Sequence, residues 1–458
     1  MPHDVGYHAA DVGSVTRSSR RSAPLRMSGG APLRVAVLGA GTVGREVVRG
    51  LLDDADRLAA VSGRRLDLAG VACRDLDRAR GSGIPGELLT DAPAHLVADP
   101  GIDVVVELLG GDEPARTLIA AALGAGRPVV TANKHVIAHH GPMLEATARR
   151  SGAALRFEAS VGGGIPILGT IAEGLAADRP TRVRGIVNGT TNHILTAMAE
   201  AGRPYGDVLA EAQALGYAEA DPAGDVEGDD AVNKLVILAR LAFGGWIDPS
   251  TVERRPSTVL GTGRPGITGV SDRELDAAAA LGLSLRLLAT AIVRPSRAPG
   301  DDASDGPTAT VLPTAVRATG EFGRTCGVTN RIEVAAEPLG VVALSGPGAG
   351  GPATASAVLG DLVAIARGGG STWAGLPAAG PASPSEGAVT GPRRWFAFVP
   401  GPSVTRSAAV DGSSDLTTAV RPDGLGVLTT TLELEAARAR IRPLLAMNVD
   451  ATLYPVDD

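Results

Sequence analysis

Aromatic residues are scarce in this chain, 3% of 458 residues, so any core must be built from aliphatic side chains and alanine. Cysteine is scarcer still. Cys73 and Cys326 are far apart and exclude a disulfide framework, which points to a reducing, cytoplasmic compartment. No apolar run approaches the roughly 18 residues that a membrane span needs. A net charge of −7 without a large basic block gives neither nucleic acid nor an anionic membrane a surface to hold. Residues 1–30 lack apolar periodicity and an apolar signal core, so we read them as a disordered extension and not a secretory leader. Asp4, Asp11 and the missing amphipathic pattern argue against a transit peptide, and Met27 is a candidate alternative start. The whole chain, 44% hydrophobic and 20% charged, fits a soluble globular protein of two or three domains.

The most informative stretch is 216–234, GYAEADPAGDVEGDDAVNK, which runs directly into the apolar KLVILARLAF. A helix starting near Gly228 places Asp230 and Lys234 at i and i+4, a pair worth only about 0.2–0.5 kcal/mol when exposed. In a cleft the same carboxylate would hold the ammonium in place and tune it for proton transfer. The remaining carboxylates suit a substrate that carries an ammonium group. A solvated acidic turn is the plainer alternative. A calcium loop is disfavoured, because the oxygen ligands miss its alternating positions and final glutamate.

Upstream, RVAVLG (34–39) ends in Gly39-Ala40-Gly41-Thr42-Val43-Gly44 and passes into a helical pattern, the outline of a dinucleotide site. A tight glycine turn in some other α/β unit would look similar. The next strand ends at Arg74 and Asp75, where an arginine suits the 2′-phosphate of NADP and an acid the ribose of NAD; the order leans towards NADP. Strands at IDVVVELLGG (102–111) and RPVVTANK (127–134) alternate with helices, which predicts a doubly wound parallel sheet. Glu107, Gly110 and Gly111, and Thr131 to Lys134, then lie at carboxyl ends of strands, facing the cofactor. His135, His139 and His140 follow without the other parts of a zinc site, and we read them as solvated or capping.

The glycine turn in LRFEASVGGGIPILGTI (155–171) could aim carbonyls at a monovalent cation or serve as a hinge, and the strand–helix alternation ends near Ser160. In the turn Asn188–Asn192, Thr190 could meet substrate or cap a helix. SGPGAGG (345–351) opens a helix that is expected to return to the nucleotide domain and cover the cofactor. The division we expect is 31–160 with 345–368 for the dinucleotide, 161–344 for substrate and dimerisation, a Gly/Ser/Pro-rich linker 369–392, and a small α/β unit 393–458.

With the glycine loop, TANK and GYAEADPxxDVEGxDxxxK in this order, residues 31–368 resemble homoserine dehydrogenase. The resemblance implies NAD(P)H-dependent reduction of L-aspartate 4-semialdehyde to L-homoserine, on the route to threonine and methionine. It implies that Lys134 and Lys234 bind and protonate the aldehyde oxygen with Asp230 as partner of Lys234. Glu219 would take the substrate ammonium, with Asp225, Thr190 and Tyr217 beside it. The cofactor would be held by Gly39, Gly41, Thr42, Val43, Gly44, Arg74, Gly110, Thr131, Lys134 and Gly346. A sodium ion would sit at Glu158, Val161, Gly163 and Ile165, the last three through backbone oxygens, in a homodimer joined through the substrate domain. His193 departs from the tyrosine or phenylalanine commoner after NGTTN, and the C-terminal unit lacks the DRPGVLA-like signature of an ACT domain, so an atypical ACT-like unit and an unrelated appendage both stay open. Two other classes fit parts of the pattern. A cofactor-binding sensor has no use for Lys134, Lys234 and Asp230 together, and another amino-acid dehydrogenase would act on an amine.

Overall fold

The structure, a computed structural model, describes residues 30–216, 218–293, 306–373, 375–385, 391–401, 416–445 and 449–457. Six parallel strands form the first sheet: β1 (Leu33–Leu38), β2 (Leu66–Ala72), β3 (Leu89–Thr90), β4 (Val104–Glu107), β5 (Val129–Thr131) and β6 (Leu155–Arg156), in the order β3-β2-β1-β4-β5-β6. Strand order reverses between β1 and β4, and a crevice opens at their carboxyl ends. Both faces are covered, so β1 and β4 are almost continuously apolar. Successive side chains point to opposite faces. Val35, Val37, Val104 and Val106 pack with Val47 and Val48 of the helix Thr42–Asp53 and with Val358 and Leu362 of the helix Gly351–Ala366. Ala36, Leu38 and Val105 join Ile119 and Ile137 on the other side.

The second sheet is mixed. Its strands are β7 (Arg179–Ile186), β8 (Ser257–Thr258), β9 (Leu283–Ile292), β10 (Thr308–Arg317), β11 (Thr329–Glu337), β12 (Gly340–Pro347), β13 (Trp395–Pro400), β14 (Leu416–Arg421), β15 (Gly424–Thr429) and β16 (Thr452–Asp457). They run β12-β11-β7-β9-β10-β16-β13-β15-β14, with β8 on β16. The local pattern predicts a small unit after residue 392, and its last strand, β16, pairs parallel with β10 and antiparallel with β13, so the C-terminal strands also continue the sheet. That junction is a pairing between distant segments, which periodicity within either segment cannot reveal.

The helix Asp229–Phe243 packs against β7 and β9 and is buried from Asp230 to Ala242. A helix buried all round must pair every charge it carries. Arg240, fully buried, does so with Glu145 of the helix Lys134–Ser151: Nη2 donates to Oε1 at 2.7 Å and Nε to Oε2 at 3.0 Å. Trp246 Nε1 and Arg149 Nε donate to the same carboxylate at 2.9 Å each. The pair therefore fixes the helix that begins at Lys134 against the helix that carries Lys234. Glu145→Ala strands a buried guanidinium and should lower unfolding free energy by about 3–5 kcal/mol, read from urea denaturation; a loss under about 1 kcal/mol would mean the pair does not join the helices.

Candidate active site

At the end of β1, Gly39 adopts φ +113°, and a Cβ on it would lie 2.4 Å from the Leu108 carbonyl oxygen. A Cβ on Gly44 would lie 1.9 Å from the Gly39 oxygen, so the helix and the turn touch through bare backbone. Around Gly41 a Cβ would meet nothing within 4 Å. The helix Thr42–Asp53 starts there without a side-chain cap, leaving its first N–H groups, those of Thr42, Val43 and Gly44, to an anion.

Across the crevice, the Asp230 carboxylate stands between two ammonium groups. Oδ1 is 2.9 Å from Lys134 Nζ and Oδ2 is 2.6 Å from Lys234 Nζ. Asn188 Nδ2 donates to Asp230 Oδ2 at 2.8 Å and to Asp225 Oδ1 at 2.7 Å, and Lys234 also donates to the Val187 carbonyl at 2.8 Å. Burial alone would push the Asp230 carboxyl up, but the Lys234 and Lys134 charges hold it well below the usual carboxylate range. Burial pulls the Lys234 ammonium below its ordinary value against the opposing charge of Asp230, with the Lys134 charge adding to the fall. Lys134 moves the other way, raised chiefly by Asp230 and further by Asp225 and Glu219. Two lysines share one carboxylate, and Lys234 is the deeper of them.

Lys134 is placed by a chain of hydrogen bonds that begins at Glu107, a fully buried carboxylate at the end of β4. Glu107 accepts from Leu109 N at 2.8 Å and from Thr131 Oγ1 at 2.6 Å, and Thr131 Oγ1 accepts from Asn133 N at 2.9 Å. Asn133 caps the helix by accepting from Val136 N at 3.1 Å and donates to the Gly111 carbonyl at 2.8 Å. Gly110 and Gly111 in this loop both take positive φ, which favours glycine.

The loop after β12 lies between two backbones. A Cβ on Gly163 would fall 2.8 Å from Gly348 C, and one on Gly351 would fall 3.0 Å from the Thr42 oxygen. Gly346 sits opposite Asn330 in the β11–β12 register and against Ile165. In the 158–165 turn, the Glu158 carboxylate is engaged by Leu168 N at 2.8 Å and Gly169 N at 2.7 Å, and the Ile165 carbonyl accepts from Ile167 N at 2.7 Å. Each Glu158 carboxylate oxygen accepts one backbone N–H bond, and the main-chain oxygens of Val161 and Gly163 lie in the same turn. Among the described residues no group of three or more His, Cys, Asp or Glu could hold a metal. His140 Nε2 instead lies 2.7 Å from Asp112 Oδ1, and the rings of His135 and His139 are 4.3 Å apart.

The structure thus brings Lys134, Asp230, Lys234 and Asp225 together. Thr190 lies in the first turn of the helix that Asn188 caps, Glu219 is exposed on the acidic loop, and Tyr217 lies outside the described residues. Asp75 accepts from Arg78 N at 2.9 Å as the cap of the helix Leu76–Gly81, while Arg74 is exposed beside it. Sequence reasoning did not single out Asn188, Asn330 or the Val187 carbonyl. Asn188 could have been found as an N-cap residue before the helix Gly189–Ala201; the other two carry no local signal. A cavity of about 380 Å³, lined by Arg182, Arg184, Glu253, Thr310, Arg393 and Asp457 among others, contains none of these residues.

The profile described as homoserine dehydrogenase matches residues 166–363, and that of the homoserine dehydrogenase NAD binding domain matches residues 39–158. A homoserine dehydrogenase of Mycobacterium tuberculosis is 44% identical over 336 residues, 73% of each chain. The solved structure of a homoserine dehydrogenase from Thiobacillus denitrificans superposes with a TM-score of 0.77 at 33% identity, covering 93% of this chain and 98% of that one. A hyperthermophilic archaeal homoserine dehydrogenase in complex with NADPH is similar with a TM-score of 0.57 at 28% identity, over 73% of this chain and 97% of that one.

Burial, with Asp361 nearby, lifts the Glu158 carboxyl to about 7, against the two backbone N–H bonds and the charge of Arg156. In the unfolded chain the group ionises near pH 4.5, so between about 4.5 and 7 the folded state holds the extra proton and stability falls as pH rises. Glu158→Gln should flatten this slope, seen as a smaller loss of Tm between pH 5 and pH 8; an unchanged slope would rule Glu158 out as its source.

Proposed function

The chain belongs to the homoserine dehydrogenase family, and we propose that Lys234 is the proton donor of its reaction, with Lys134 and Asp230 holding the reacting oxygen in place. The protein is an NAD(P)-dependent oxidoreductase that reduces L-aspartate 4-semialdehyde to L-homoserine in amino-acid biosynthesis. The observation that carries the residue roles is the single Asp230 carboxylate bound by both ammonium groups. NAD(P)H, when bound, would supply the hydride. As it reaches the aldehyde carbon, the carbonyl π pair moves to oxygen, and the developing alkoxide takes a proton from Lys234 Nζ. Two of the three N–H bonds of that ammonium are directed by Asp230 and Val187, leaving one for the substrate. Lys134, held charged by Asp230, stabilises the oxygen electrostatically, usually the largest single contribution in such a site. Glu219 and Asp225, both within electrostatic reach of Lys134, take the substrate ammonium, with Thr190 and Tyr217 completing that end.

Cofactor contacts follow the same logic. The Gly39–Gly44 turn takes the pyrophosphate, Gly110, Thr131 and Lys134 face the nicotinamide side, and Gly346 leads into the loop that covers it. NADP is the preferred form in this reading, because one Asp75 oxygen is engaged in capping while Arg74 is exposed. A sodium ion held at Glu158 and by main-chain oxygens of Val161, Gly163 and Ile165 would stiffen the turn against which the loop lies; a Tm at pH 8 equal in sodium and choline chloride would sink that assignment. The domain division 31–160 with 345–368, 161–344, linker 369–392 and 393–458 belongs to the same reading, supported by the packing of Val358 and Leu362 on the first sheet. So does a homodimer in the cytoplasm. Free Cys73 and Cys326 fit a reducing compartment, and Val341, 58% exposed on edge strand β12, offers a surface for a second copy, to be checked by sedimentation equilibrium.

Lys234→Ala should keep NADPH binding while kcat for aspartate semialdehyde falls about 10²–10⁴-fold; near wild-type turnover in the folded variant would remove Lys234 from the acid role. Arg74→Ala should weaken NADPH about ten-fold or more and leave NADH nearly unaffected, since one charge-assisted hydrogen bond is lost. Equal losses for both cofactors in binding titrations would contradict the NADP preference.

A further inference from the structure

Asn330, at the start of β11, is fully buried. Its Nδ2 donates to the Val187 carbonyl at 3.0 Å, the same oxygen that accepts from Lys234 Nζ at 2.8 Å. Its Oδ1 is buried without a hydrogen-bond partner among the described residues. On its other side lies the loop after β12: a Cβ on Gly348 would fall 2.0 Å from Nδ2, 2.1 Å from Cγ and 2.4 Å from Oδ1. A leucine in this place would leave no orphaned acceptor, a defect that destabilises a fold. The amide is thus wedged between the carbonyl that holds the catalytic ammonium and the loop assigned to the cofactor.

We propose that Asn330 is a positioning residue for Lys234, sharing the Val187 carbonyl so that the oxygen is directed at the ammonium but does not bind it at full strength. The inference rests on the reading of Lys234 as the proton donor. A carbonyl oxygen has two lone pairs, and here both are taken: one by Lys234, one by Asn330. The positive end of the Asn330 N–H dipole points at the oxygen that the ammonium also approaches, which disfavours the charged form of the lysine. Without that donor, Val187 would hold the ammonium alone and the proton would be retained more tightly. The register pairing of Asn330 with Gly346 and the bond from Ser345 Oγ to the Asn330 carbonyl at 2.9 Å tie the same residue to the cofactor loop, so loop position and lysine position are set at one point.

The test is the alkaline limb of the pH profile of kcat/KM for reduction of aspartate semialdehyde, where the acid loses its proton. Lys234→Ala is measured first: if its residual activity keeps the limb, the proton-donor reading falls and this inference falls with it. If the limb belongs to Lys234, Asn330→Asp, which replaces the donor by a carboxylate, should move it upward by about one pH unit or more. Asn330→Leu, of similar volume, should move it upward by less. NADPH binding and a cooperative thermal transition establish that each variant is folded, and should Asn330→Asp fail to fold, Asn330→Leu alone decides. A limb that is assigned to Lys234 yet stays in place in the folded Asn330 variants overturns the role of Asn330 and leaves that of Lys234 intact. A merely structural asparagine would alter stability or kcat without moving the limb.

Discussion

One carboxylate with an ammonium on each oxygen is the constraint around which this molecule is arranged. Asp230 lies in a buried helix, where an unpaired charge would cost several kcal/mol, and Lys234, one turn later, has the same difficulty. Each offsets the desolvation of the other. Lys134, at the start of the helix that follows β5 of the first sheet, brings a second positive charge to the same carboxylate. The cluster therefore exists only where the two sheets of the protein meet, and its geometry depends on how they are held.

Several separate contacts hold them. The buried Glu145–Arg240 pair joins the two helices that carry the lysines, and Trp246 closes one side of it. The Glu107–Thr131–Asn133 chain sets the start of the helix at Lys134 from within the first sheet. Asn188 ties Asp225 to Asp230 while capping its own helix through Thr191 N at 2.8 Å, so the acidic loop and the buried helix are registered by one side chain. The helix Gly351–Ala366, late in the chain, packs on the first sheet and brings the loop after β12 beside Thr42 and the glycine turn. The side chains of the cluster are set in these ways by neighbours on several separate elements.

Much of this was legible in the residues. The glycine spacing after β1 announces a strand, a tight turn and a helix, because only glycine fits where a Cβ on residue 44 would strike the Gly39 oxygen. Asp230 and Lys234 could be paired by helical spacing alone, and the alternation of strands and helices to Arg156 implies the parallel sheet. Other features had no local trace. Nothing near Glu145 or Arg240 distinguishes them from the surface charges of ordinary amphipathic helices, since their partners are 95 positions apart. Strand β16 reads as a short apolar run, and its place between β10 and β13 follows from which sheet edges were left unpaired.

By itself the sequence determined the kinds of element, the nucleotide turn, the acidic loop and the lysine beside it, because these depend on backbone conformation and on contacts within a few residues. Only the tertiary structure decided that Lys134 and Lys234 share Asp230, that Asn188 and Asn330 stand behind them, and that the C-terminal strands extend the mixed sheet. Those outcomes depend on distances between segments that are remote along the chain, and such distances are set by packing and by the need to pair every buried charge, not by the pattern of any one segment.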